Sequence, residues 1–273
     1  MKKLALALAL GWAGIASAQS IIGSPHDLGT GGGAIVNNGT DAGNGNAQGQ
    51  VCVYCHFPHN AAFVGAPLWN RKAPSGPFQM YSSANDQYFV ANPGEDTVNR
   101  PLGTVSAACL SCHDGVTAFN SLNQTPMYDA DQKRGGATGS LNAYTFATTG
   151  TGGAQLTNGT MGDLFVTGTA LSANLGTDLT NDHPISFTYD AALVTAKAGL
   201  NPTTTVITGK TGVIIRTAGT QDIATQMLFS NKLECASCHE PHMHGDETNA
   251  ASNYPFLIKS NQSSYLCLTC HAK

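Results

Sequence analysis

The chain has 273 residues and a formal net charge of −4, and with only 11% of residues charged and no basic cluster it is a poor candidate for binding nucleic acid. Glycine (31), threonine (29) and asparagine (20) make up 80 residues, while leucine, isoleucine, valine and phenylalanine together make only 54. So little apolar side chain struggles to offset chain entropy, and something other than side chains has to build the core.

Residues 1–18 begin with Lys2 and Lys3, run apolar from Leu4 to Ile15 and close on Ala16-Ser17-Ala18, the small-x-small form cut by signal peptidase. The expectation is a signal peptide over 1–18 and a mature start at Gln19, which moves the formal charge from −4 to −6 by removing two lysines. The rival is an uncleaved anchor, but about 12 apolar residues fall short of the roughly 20 that span a bilayer. No later stretch is apolar enough, so no membrane span is expected after cleavage, and the product is expected to be secreted, extracellular or at the cell surface.

From 19 to 273 no charge run or proline-rich linker marks a boundary, which predicts a single domain. No long amphipathic helix emerges. The spacing allows short helices around the cysteine motifs. Residues 135–162, "GGATGSLNAYTFATTGTGGAQLTNGTMG", keep no period through their glycines and read as loop. Residues 203–217, "TTTVITGKTGVIIRT", have the β-branched content and central glycine of a small hairpin. The expected fold is mostly irregular coil with short helices and that minor β-hairpin.

All eight cysteines fall in four motifs: Cys52-x-x-Cys55-His56, Cys109-x-x-Cys112-His113, Cys235-x-x-Cys238-His239 and Cys267-x-x-Cys270-His271. This is the pattern of c-type haem attachment. Two thiols separated by two residues reach the two vinyl groups on one porphyrin edge as thioethers, and the next residue turns under the ring to ligate iron. Disulfides or zinc sites are the rival readings, and neither explains a histidine after every second cysteine. Four covalent haems would also supply the missing core, as metals and disulfides do for small domains.

Five histidines remain for four distal positions: His26, His59, His183, His242 and His244. Met80, Met127, Met161, Met227 and Met243 are the alternative sixth ligands. Four of the histidines adjoin a proline (Pro25-His26, Pro58-His59, His183-Pro184, Pro241-His242), whereas among those methionines only Met127, after Pro126, does. Bis-histidine ligation through His26, His59, His183 and His242 is therefore favoured, with His244 as the spare. In "CHFPHN" (55–60) and "CHEPHM" (238–243) the second histidine lies three residues after the first, roughly 5 Å along a helical turn. It cannot pass round the porphyrin to the opposite face, so His59 and His242 must serve haems other than those of His56 and His239. Asp27, Asp178 and Asp182 are candidate acceptors for the other ring nitrogen of His26 and His183.

The ordered set "GSPHDL" (23–28), "CVYCHFPHN" (52–60), "APLWN" (66–70), "CLSCHDG" (109–115), "GTDLTNDHPISF" (176–187), "CASCHEPH" (235–242) and "LCLTCH" (266–271) resembles the outer-surface tetrahaem c-type cytochromes that polymerise into extracellular filaments, the OmcE-type cytochrome nanowires. The resemblance spans Gly23 to His271 and leaves the Gly/Thr/Asn-rich stretches between Asn120 and Thr220 unmatched. It implies a coil fold around a continuous line of bis-histidine haems, with one distal ligand donated by a neighbouring subunit. His59, just beyond the first motif, is the favoured donor and His26 the rival. The implied partners are further copies of the chain, outer-membrane electron donors and extracellular acceptors. A monomeric periplasmic or outer-membrane-complex carrier is the alternative. An enzyme needs an open iron position, and the candidate ligands outnumber the irons five to four, so none is expected.

Overall fold

A computed structural model describes residues 21, 24, 26–28, 51–59, 61, 66–74, 76–82, 100–117, 121–123, 156–157, 160–161, 173–207, 221–242 and 256–272. The signal-peptide expectation, the spare His244, Met127 and Met243 lie outside them. Among the described residues no helix is long and apolar enough to cross a membrane.

The described chain is mostly coil with short elements. Strand β1 (Gln79–Met80) precedes helix α1 (Thr104–His113), and β2 (Leu156–Thr157) and β3 (Thr160–Met161) form a small antiparallel pair inside the stretch read from sequence as loop. Then come β4 (Asp178–Leu179), β5 (Phe187–Thr188), α2 (Ala191–Ala196), α3 (Ile223–Gln226), β6 (Lys232–Leu233) and α4 (Cys267–Cys270). β1 pairs in parallel with β4, and β5 pairs antiparallel with β6. The hairpin expected over 203–217 is described only to Ile207. Its remainder lies outside the described residues; Val206 bridges Asp222, and Ile207 N–H donates to the Gln221 carbonyl at 2.7 Å.

The elements are short because the sequence caps them early. α1 follows Pro101 and Gly103, runs through Ala107 and Ala108, and stops at Asp114 and the left-handed Gly115 (φ 67°). Asp114 folds its carboxylate back to accept from Val116 N–H (2.9 Å), Thr117 N–H (2.7 Å) and Thr117 Oγ1 (2.6 Å). α2 starts on Asp190, which accepts from Leu193 N–H at 3.0 Å. α3 starts on a reciprocal Asp222–Thr225 capping box.

Two apolar clusters hold these pieces. The larger gathers Phe187, Leu193, Ile223, Met227, Leu233 and Ile258 among others, with Cys270 of the fourth motif packed against it. The smaller is Met80, Leu110 and Leu179, which seats α1 on the β1–β4 pair. Met80 and Met227, fully buried in these clusters, are core side chains, which removes two of the five methionine alternatives for the distal position.

Candidate functional site

Each cysteine motif is wound into one helical turn. His56, His239 and His271 donate their backbone N–H to the carbonyls of Cys52 (2.7 Å), Cys235 (3.1 Å) and Cys267 (2.9 Å), and the second motif makes its turn inside α1. On such a turn residues i, i+3 and i+4 share a face, so both cysteines and the histidine of a motif point the same way. All eight cysteines are free thiols rather than disulfides. Among the described residues no group of three or more His, Cys, Asp or Glu is placed to hold a metal ion, so the zinc reading finds no cluster there.

The motifs lie beside one another in chain order. Burial, and next the Cys112 thiol, push Cys55 up to about 12. Cys109 and Cys235 share a hydrogen bond, the main cause that raises the first and lowers the second. Burial, and next Cys238, push Cys270 up to about 12. First meets second, second meets third, and third meets fourth.

Three motif histidines each face a spare histidine. His56 and His242 have ring centroids 6.0 Å apart, His113 and His26 6.1 Å, and His271 and His183 6.4 Å. Their interplanar angles are 20°, 64° and 78°. His59 is exposed and outside these pairs, and His239 is exposed beside its bridge to Leu257. No protein-family model and no curated protein matches the chain.

The spacing of the three pairs tests whether haem iron fits. Metal–imidazole bonds of about 2 Å on either side of a shared ion put the ring centroids roughly 6 Å apart. Rotation about the common axis leaves the interplanar angle free. The contact between His26 and Phe256, 4.2 Å and 14°, shows by contrast what direct ring stacking looks like here. Aromatic pairs in general also populate this distance range; what decides is that each pair joins a motif histidine to a spare one.

The ring nitrogens agree. Nδ1 of His56 bonds the Pro67 carbonyl (2.6 Å), that of His113 the Ala173 carbonyl (2.7 Å), that of His183 the Pro184 carbonyl (2.9 Å) and that of His242 the Glu240 carboxylate (2.7 Å). The Pro241 carbonyl hydrogen-bonds the ring of His26. An Nδ1–H given to an acceptor leaves Nε2 with its lone pair, the tautomer a metal ligand needs. Burial, then the His113 ring, push His26 down to about 4, so it is neutral near pH 7. The indole nitrogen of Trp69, 5.7 Å ring to ring from His56, is buried and finds no acceptor among the described residues. A bound group carrying acceptors beside the first motif would satisfy it. The donor set therefore fits four c-type haems held by Cys52, Cys55, Cys109, Cys112, Cys235, Cys238, Cys267 and Cys270.

The acceptors are not those expected from sequence for His183 and its neighbours. Asp178 accepts from Thr180 N–H and Oγ1, and His183 Nδ1 bonds the carbonyl of the adjacent Pro184. Sequence reasoning also missed the polar residues at the junctions. Arg71 donates to Ser111 of the second motif, Glu234 accepts from Ser106 of α1, and Lys259 donates to Thr269 of the fourth motif at 2.8 Å. The available signal was compositional: a chain with 11% charged residues places few of them without a reason.

Proposed function

We propose that the chain is a tetrahaem c-type cytochrome that carries electrons outside the cell, as the repeating subunit of a polymeric filament. The observation that carries the reading is the set of three histidine pairs at 6.0, 6.1 and 6.4 Å, each uniting a CxxCH histidine with a distant partner. Bound haem iron supplies one-electron ferric/ferrous exchange; the chain's own residues do the rest. The cysteines would hold the porphyrins covalently, and His113 with His26, His56 with His242 and His271 with His183 would supply imidazole ligands to iron. Imidazoles from both members of such pairs would leave substrate no open position on the iron, which favours a carrier over an enzyme. Carbonyls of Pro67, Ala173 and Pro184 fix the ring orientations, so little rearrangement accompanies each electron.

His242 three residues after His239, facing His56, is the short bridge between two haem sites that the "CHEPHM" spacing calls for. His59 is left exposed outside the pairs, and His26 is engaged inside the chain by His113 and Phe256. That contrast supports His59 as the ligand given to the neighbouring subunit, ahead of His26.

The test is export of the full chain from a host that matures c-type cytochromes. Intact mass should exceed the peptide from Gln19 by four haems, the oxidised spectrum should be low-spin, and negative-stain microscopy should show filaments. Fewer than four haems sinks the assignment. Monodisperse particles with four low-spin haems would make it a monomeric carrier.

A further inference from the structure

Arg71 is fully buried. Its backbone belongs to the first motif's surroundings: the preceding Asn70 donates its N–H to the Cys55 carbonyl at 2.8 Å, and Arg71 itself bridges Leu122. Its side chain belongs to the second motif. Nε donates to the Ser111 carbonyl and to Ser111 Oγ, both at 3.2 Å, and Nη2 donates to the same carbonyl at 2.8 Å. Ser111 stands between Cys109 and Cys112, and its own hydroxyl is fixed by donation to the Ala108 carbonyl at 2.7 Å.

Holding a guanidinium away from water costs several kcal/mol, and these acceptors on Ser111 are uncharged. An ordinary packing role would be filled by an apolar side chain at less expense. Resting on the tetrahaem reading, we propose that Arg71 is a fixed internal cation that raises the reduction potentials of the haems held by the first and second motifs. In the step concerned, each ferric iron takes one electron from an external reductant and becomes ferrous, so the site loses one unit of positive charge. A neighbouring buried cation repels the ferric state more than the ferrous one, and a low local dielectric keeps that difference large.

A carboxylate that acts on the same motif, that of Asp114, is buried at the end of α1. It is occupied by Val116 and Thr117. At both Cys112 and His113 the effect of Arg71 is larger than that of Asp114, and Arg71 also acts on Cys55.

The experiment is spectroelectrochemical titration of the full exported chain as wild type, Arg71→Gln and Arg71→Lys, at one pH and ionic strength. In Arg71→Gln two of the four mid-point potentials should move down while the other two stay, and Arg71→Lys should recover most of the shift. Unmoved potentials in Arg71→Gln overturn the proposal. So does an equal fall in both variants, which would make Arg71 a structural tie whose charge is immaterial. If Arg71→Gln does not accumulate with four haems, Arg71→Met replaces it with the same expected shift, since an apolar chain of similar length strands no polar atom. Intact mass keeps the two claims apart: fewer than four haems in the wild type sinks the cytochrome reading, whereas four haems with unmoved potentials sinks only the role of Arg71.

Discussion

Glu234 precedes the third motif and is buried against the start of α1. Its carboxylate accepts from Ser106 Oγ and, at 3.1 Å, from Ser186 Oγ; Ser106 Oγ in turn receives the Cys235 N–H at 3.0 Å, and Ser186 Oγ the Gly103 N–H at 2.8 Å. Negative charge at a helix N-terminus is favourable as well. Glu234→Ala deletes two hydrogen bonds to a charged acceptor, each worth about 1.5–3 kcal/mol, so a loss of about 3–6 kcal/mol is expected. Domains of ordinary stability have only about 5–15 kcal/mol in all. Gly103 is extended with φ −67°, a conformation alanine adopts freely, but a methyl there would run into the Glu234 carboxylate. Gly103→Ala should therefore cost about 1–3 kcal/mol through overpacking. In the double variant the methyl enters space the carboxylate has vacated, so the two losses should fall short of additivity by about 1–3 kcal/mol. Guanidinium unfolding of all four proteins of the cycle, followed by far-ultraviolet circular dichroism and haem absorbance, measures this. Additivity within about 0.5 kcal/mol would refute the reasoning, as would a Glu234→Ala loss under about 1 kcal/mol.

On the tetrahaem reading, His183→Ala should turn one haem high-spin, because its ring faces His271 at 6.4 Å; His244→Ala should leave the low-spin spectrum unchanged, and the reverse pattern would exchange their roles. His242→Ala should likewise open the distal face of the haem held by His56, not of the one held by His239, which magnetic resonance of the oxidised protein can assign. His59→Ala, exported with four haems, should give no filaments and one high-spin haem; normal filaments would return the junction to another residue.

The attachment motifs were legible in the sequence because covalent chemistry fixes their spacing, and a one-turn helix follows from bringing Cys, Cys and His to one face. The offset of "CHEPHM" assigned His242 and His239 to different haems, and the His242 ring lies against that of His56. Partner choice was not legible: His26 and His113, or His183 and His271, meet through contacts far apart in the chain that no local period encodes. The small pairing of Leu156–Thr157 with Thr160–Met161 escaped notice because two-residue strands are too short to show alternation. The hydrogen-bond acceptors of the histidines escaped for a different reason. Every residue carries a carbonyl, so composition directs attention to Asp178 and Asp182 while the backbone of Pro184 does the work.

The junction residues explain how a chain with so few apolar side chains can hold four motifs in a fixed order. Apolar contact is non-directional, and among the described residues the two clusters reach the surroundings of the second, third and fourth motifs without fixing how the motifs meet. Directional bonds act where the motifs meet. Arg71 ties first to second through Ser111, Glu234 ties second to third through Ser106, and Lys259 ties the segment after the third motif to the fourth through Thr269. Ile258 N–H adds a bond to the Cys238 carbonyl at 2.9 Å, beside that last tie. Each tie reaches a Ser or Thr in, or three residues before, a CxxC sequence, so a small shift at a tie would displace the attachment turn itself. On the proposed reading that matters more than stability alone, because tunnelling rates fall steeply with separation. On the same reading, a chain whose cofactors formed its core would need its few charges at the joints between them, and Arg71 and Glu234 are buried where the motifs meet.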